Sequence, residues 1–146
     1  METPWGEWLR KTIRAGSVYY FSVGAFSSDD PHFFIVLNPN PSHDPFIATV
    51  VASSRIEKVR RRSSHLPPGT LVIIKGSEYA DFTEDCSIID GNHVHRWSID
   101  ELAAKADREE LIIKADMNMA LIKKIRTAVK LSPMVEEEVM DLFLVC

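Results

Sequence analysis

HFFIVLNPNPSHDPFIATVVAS, residues 32–53, is the stretch on which the reading of this chain turns. Two apolar runs, Phe33–Leu37 (FFIVL) and Phe46–Ser53 (FIATVVAS), are rich in β-branched and aromatic residues and short enough to be strands. Asn38–Pro45 (NPNPSHDP), between them, carries the Pro, Asn and Asp that break regular structure and is too long for a two-residue hairpin turn. The same pattern continues both ways. Ser17–Phe26 (SVYYFSVGAF) precedes it, closed by SSDDP; Thr70–Lys75 (TLVIIK) follows LPPG, and Ser87–Ile89 and Val94–Trp97 lie either side of DGN. Strands in succession with no helix between them predict an antiparallel sheet, most economically a small curled sheet or barrel.

Helix signals lie towards the ends. Thr3-Pro4 suits an N-cap followed by proline at the first helical position, and Trp5, Trp8, Leu9 and Ile13 recur at helical spacing, so a helix is expected within residues 1–15. Ser98 to Glu101 (SIDE) is a capping box that predicts a short helix near 98–106. Leu111–Lys114 (LIIK) reads as one more strand. Asp116 is placed to cap a helix in which Met117, Leu121, Ile125 and Ala128 or Val129 share a face, and Ser132-Pro133 to start another through MVEEEVMDLFL. The expected fold is therefore mainly β within the α+β class: one domain of 146 residues, with a β core over 16–115, an N-terminal helix and C-terminal helices over 116–144.

With 45% hydrophobic and 26% charged residues and a formal net charge of −4, the chain has an ordinary globular composition. That balance argues against non-specific coating of nucleic acid, which needs a broadly basic face. Charge is concentrated locally instead: of 17 Lys and Arg, Arg55, Lys58, Arg60, Arg61 and Arg62 fall within eight residues. Cys86 and Cys146 lack CxxC spacing, which suits a reducing compartment and supplies neither a zinc site nor a disulfide framework. METPWGEWLRKTIRAG has no apolar core of a secretory signal, and no run reaches about eighteen apolar residues, so a cytoplasmic protein without a membrane partner is expected.

The order of HFFIVLN, a loop, ATVVASSRIEK, PPGTLVIIKG, CSIIDGNHVHRWSIDEL and a final amphipathic helix resembles the MazF/PemK/Kid-like toxin family. The resemblance covers roughly Gly16–Leu131. It implies a small SH3-like barrel with appended helices, a homodimer, neutralisation by an antitoxin, and cleavage of single-stranded RNA with no metal or other cofactor. Where the family has an Arg-Pro pair with a catalytic arginine, this chain has His32-Phe33. Ser53 or Ser54 falls where the family places a Thr or Ser at a strand end. Asp90 falls on the acidic residue some members use, with Ile88 where an arginine is expected two positions earlier.

The catalytic candidates by this resemblance are His32, Ser53, Arg55 and Asp90. Cleavage of RNA by its own 2′-hydroxyl needs a base, an acid, and donors or cations on the phosphorane oxygens. His32 titrates near neutral pH, Arg55 offers a bidentate fork, Ser53 can donate to a phosphate oxygen, and Asp90 can accept a proton or orient a donor. Ser54, Lys58, Arg60, Arg61 and Arg62 are the candidate RNA contacts, most of them in a basic loop, Glu57–His65, whose other reading is a solvated loop. His93 and His95, two apart, would face one side of a strand, but no third ligand from Cys accompanies them and no metal is expected. Asp90-Gly91-Asn92 is most simply a turn, and the Met117–Val129 stripe core or dimer packing. Two other readings stay open: a non-catalytic RNA- or protein-binding module of the same architecture, and an SH3-like partner-binding domain with no nucleic-acid role.

Overall fold

The FFIVL and FIATVVAS runs become β2 (His32–Val36) and β3 (Ile47–Ser53), antiparallel neighbours with Ile35 opposite Val50. The structure is a computed structural model that describes residues 2–24, 26 and 30–144; Cys146, Ala25 of the expected Ser17–Phe26 strand and positions 27–29 of the following separator lie outside the described residues. On the outer side of β2 lie β1 (Val18–Phe21) and then β7 (Ile112–Lys114). The other edge of β3 is shared by two short strands. β6 (His95–Trp97) runs beside Ile47–Thr49, and β5 (Cys86–Asp90) beside Ala52 and Ser53. Among the described residues β4 (Leu71–Lys75) completes a seven-stranded antiparallel sheet of order β4-β5-β3-β2-β1-β7, with β6 off that path.

The sheet does not close into the expected barrel, because β4 and β7 end it unpaired with each other. The reason is visible in which residues each face buries. Val18, Ile35, Leu37, Ala48, Val50 and Ala52 pack with the C-terminal helices, whereas Tyr19, Phe21, Phe34, Val36 and Ile47 pack with Leu9 and Leu102 of two other helices. A sheet buried on both faces needs near-continuous apolar strands and gains nothing from closing on itself. FFIVL and FIATVVA are continuous rather than alternating for that reason.

Among the described residues, two pairs of helices supply the two layers. α1 (Pro4–Thr12) and α3 (Ile99–Asp107) cover one face. In α1 the buried stripe is Gly6, Leu9 and the following Ile13, while Trp5 and Trp8 are exposed, contrary to the shared face expected of them. Asp107 ends α3 and reaches across to accept hydrogen bonds from Thr3 and from the Gly6 backbone N–H, so α1 is capped from its neighbour. The Ser98 capping box of α3 forms as expected. α4 (Met119–Lys130) and α5 (Glu137–Leu142) cover the other face, with Leu121, Ile122, Ile125, Ala128 and Val129 inward.

Three expected boundaries move. Asn118, not Asp116, caps α4 by accepting from the Leu121 N–H, and Asp116 pairs with Arg14 instead. α5 begins after Glu136 rather than at Ser132-Pro133. The basic Glu57–His65 segment is not a loop: Ile56–Arg62 forms α2, because Glu, Lys and Arg are good helix formers and Val59 gives it a buried anchor. Among the described residues no helix is long and apolar enough to cross a membrane.

Two glycines hold the frame. Gly16 turns the chain into β1 with φ at +91°, and an added Cβ would meet the Met117 carbonyl oxygen at 2.5 Å. At Gly91, which follows β5, a Cβ would sit 2.7 Å from the Thr70 carbonyl and 3.1 Å from the α4 backbone. Gly91→Ala is expected to lower stability by about 2 kcal/mol, the cost of overpacking a filled site. A urea unfolding curve with a lower midpoint and unchanged slope is the check.

Candidate functional site

Strand pleating puts the sequence candidates on one face. Side chains alternate along a strand, so on β2 His32 shares the face of Phe34 and Val36, and on β3 Ser53 shares that of Ile47 and Val51. On β5 Ile89 belongs to the α4 side, which turns Ile88 and Asp90 the other way. On β6 His95 shares the face of Trp97. His32, Ser53, Asp90 and His95 thus project from four adjacent strand segments onto the same side of the sheet.

α2 packs against β5 at this end and gives the site a wall. The result is a cleft of about 480 Å³. His32, Ser53, Ser54, Arg55, Lys58, Arg62 and Asp90 all line it; Arg60 and Arg61 do not. The helix explains this split. Residues three or four apart share a helix face, so Arg55, Lys58 and Arg62 point together, while Arg60 turns outward to pair with Glu57 at 3.0 Å. A run of cations that reads as one loop in sequence is sorted into two sets by its helical period.

Asp90 is the hub of the site. It is 5% exposed, and both its oxygens are engaged. Oδ2 accepts from the Ser63 hydroxyl at 2.6 Å and from Arg62 at 3.3 Å, with His93 Nε2 at 3.6 Å; Oδ1 accepts from the Asn92 backbone N–H at 3.0 Å and its amide at 2.9 Å. The Asn92 amide also donates to Thr70 at 2.7 Å, which ties the turn to the residue before β4. Burial by itself would raise the Asp90 carboxyl, but the hydrogen bonds from Ser63 and Asn92 outweigh it and hold the group below the usual carboxylate range. Asp90-Gly91-Asn92 is a turn, as expected, and in addition it fastens α2 to the sheet.

The histidines divide. His93 lies before β6 beside Asp90, outside the strand expected to carry it, although it and His95 both line the cleft. Among the described residues no group of three or more His, Cys, Asp and Glu is arranged to hold a metal ion. His95 is fixed by its own backbone, whose carbonyl accepts from the buried Thr49 hydroxyl at 3.1 Å. The Phe26 ring touches His32 and His95 both, with ring centres 5.3 and 5.2 Å away. Burial lowers the pKa of each.

Sequence reasoning missed the aromatic part of this cleft. Tyr20, Phe26, Phe33 and Phe82 line it, with Tyr20 and Phe33 in contact at 4.6 Å and Phe33 and Phe82 at 5.2 Å. Pairing register sets their place: Tyr20 sits opposite Phe33 and Phe33 opposite Ala52, on the α4 side of the sheet, so these rings border the cleft from the face opposite the histidines. Ser53 itself accepts from the Arg55 backbone N–H at 3.1 Å, forming the corner between β3 and α2. No protein-family model matches this chain, and no curated protein matches it in sequence.

Proposed function

We propose that this cleft binds single-stranded RNA and cleaves it by attack of the 2′-hydroxyl on its own phosphodiester, with no metal, in the manner of a MazF/PemK-like toxin. The observation that carries the reading is that one cleft brings together imidazoles, cations and the Phe26 ring around a common space, with Tyr20, Phe33 and Phe82 bordering it from the other face of the sheet. Each part answers a need of an RNA strand. Unpaired bases stack on aromatic rings, which a base-paired duplex does not allow. The phosphate between two such bases would meet Arg55 and Lys58, and the Ser53 hydroxyl, whose oxygen already accepts from Arg55, has its proton left for a phosphate oxygen. Asp90 acts here as a positioning residue for Arg62 and His93, since its oxygens are filled. The setting for such an activity is the cytoplasm, with the toxin held as a homodimer under an antitoxin's control.

A second reading is favoured by the same filled carboxylate. A cleft whose acidic residue is wholly engaged in structural hydrogen bonds suits a module that binds RNA and leaves it intact. Incubation of the protein with a long single-stranded RNA in EDTA separates the two, because the proposed nuclease cuts it and the module only retains it.

RNA affinity should also report the helical sorting of the basic run. Lys58→Ala is expected to reduce the slope of log affinity against log salt by about 0.7, the loss of one phosphate contact on a single strand. Arg61→Ala, on the outer side of α2, should leave that slope unchanged. Fluorescence anisotropy of a labelled RNA over a salt series measures both.

A further inference from the structure

We propose that His95 and His32 form the acid–base pair of the cleft, with His95 taking the proton from the attacking 2′-hydroxyl and His32 delivering one to the departing 5′-oxygen. This inference rests on the RNA-cleaving reading and adds to it a residue that neither the basic run nor the family resemblance points to. Both imidazoles rise from the same sheet face, both line the cleft, and both rest on one Phe26 ring. The two are held in different ways, as two roles require. His95 is anchored through Thr49 in the middle of the sheet, and the Thr49 hydroxyl is itself fixed by the Trp97 indole at 3.0 Å. His32 opens β2, directly after Asp30 and Pro31, which line the cleft with it.

The surroundings assign the roles. Facing His95 are His93 from the turn, Arg62 from α2 and His32 from β2, all of which disfavour a proton on it beyond the effect of burial. An imidazole so placed starts neutral and serves as the base. Facing His32 are Arg55, which disfavours the proton, and Asp30, which favours it. Burial disfavours a proton on both rings; His32 is the one that a carboxylate, Asp30, faces across the cleft lining, and that placement assigns it the acid role.

The step balances without a co-reactant. His95 accepts the 2′-hydroxyl proton as the 2′-oxygen bonds to phosphorus; the bond from phosphorus to the 5′-oxygen breaks, and that oxygen takes the proton of His32. The products are a 2′,3′-cyclic phosphate and a 5′-hydroxyl end. Proton exchange with water then resets both rings. Arg55 stays at the non-bridging oxygens throughout.

Replacement of each histidine and a change of leaving group test the assignment together. His95→Ala and His32→Ala should each slow single-turnover RNA cleavage about 10²–10⁴-fold, with RNA affinity within about threefold of wild type. The wild-type rate should rise and then fall with pH. His95→Ala should lose the rising limb and His32→Ala the falling one. A uridine 3′-(4-nitrophenyl) phosphodiester, whose leaving group needs no proton, should restore His32→Ala towards wild type and leave His95→Ala slow. Full activity of His95→Ala on RNA, or rescue of His95→Ala in place of His32→Ala, overturns the pair while leaving the nuclease reading intact. A wild-type protein that cleaves no RNA defeats the nuclease reading. In that event the pair is judged by NMR titration of both imidazoles with uridine 3′-monophosphate: raised pKa values for both support their joint hold on a phosphate, and unmoved values overturn it.

Discussion

Arg55→Ala is expected to slow cleavage of single-stranded RNA about 10²–10³-fold, the loss that follows removal of one donor aimed at developing charge. The position isolates this effect. Arg55 is the residue just before α2, and its side chain makes no capping hydrogen bond; its backbone N–H, which an alanine keeps, bonds Ser53. The side chain is exposed and lines the cleft, so its truncation removes a phosphate fork and leaves the β3–α2 corner in place. Arg55→Lys should recover only part of the rate, because an ammonium keeps the charge without the two-pronged geometry. Single-turnover rates beside melting temperatures measure the two quantities separately; a fall in rate matched by a fall in melting temperature would contradict this account.

Asp90→Ala is expected to lower stability at neutral pH by about 3 kcal/mol. Here the effect is on folding, because the carboxylate accepts from Ser63, Arg62 and Asn92 and joins α2 to the end of β5. Its loss leaves the buried Ser63 hydroxyl and the Asn92 donors without their acceptor. The pH dependence follows from the depressed carboxyl. A group whose pKa is lower in the folded chain than in the unfolded one stabilises the fold above the unfolded value, near 4, and ceases to as pH falls through the folded value. The gap between wild type and Asp90→Ala should therefore be widest at neutral pH and narrow below about pH 4. Urea midpoints for the two proteins across that range measure it.

Strand positions were legible because apolar runs bounded by Pro, Gly, Asn and Asp carry their own limits: β3 and β4 fall within a residue or two of the expected runs. The two-layer arrangement departs from the expected barrel, although FFIVL and FIATVVA hold the signal. An unbroken apolar strand means two covered faces, and a barrel leaves one face of each strand outside. α2 is hard to read in sequence because a charge run looks like a solvated loop until one asks which of its residues is apolar at helical spacing; only Val59 is buried in it. Asp116 lost its capping role to Asn118 through tertiary context, since Arg14 lies close enough to claim the carboxylate.

The site was legible in part. His32, Ser53, Arg55 and Asp90 come from three separate stretches of sequence, and pleating and register bring them together. Arg60 and Arg61 look equivalent to Lys58 and Arg62 in sequence because adjacency hides helical period. The place of His95 could not be read, since it depends on β6 pairing with the start of β3 and not with its sequence neighbour β5. Nor could the aromatic wall, which joins Tyr20, Phe33 and Phe82 across more than sixty positions.

The most direct measurement is of the ends left on a long single-stranded RNA after incubation with the protein in EDTA. Fragments bearing 2′,3′-cyclic phosphates and 5′-hydroxyls, formed by wild type and lost in Arg55→Ala, are the predicted result. Intact RNA, or cutting that needs a divalent metal and leaves 5′-phosphates, would contradict it.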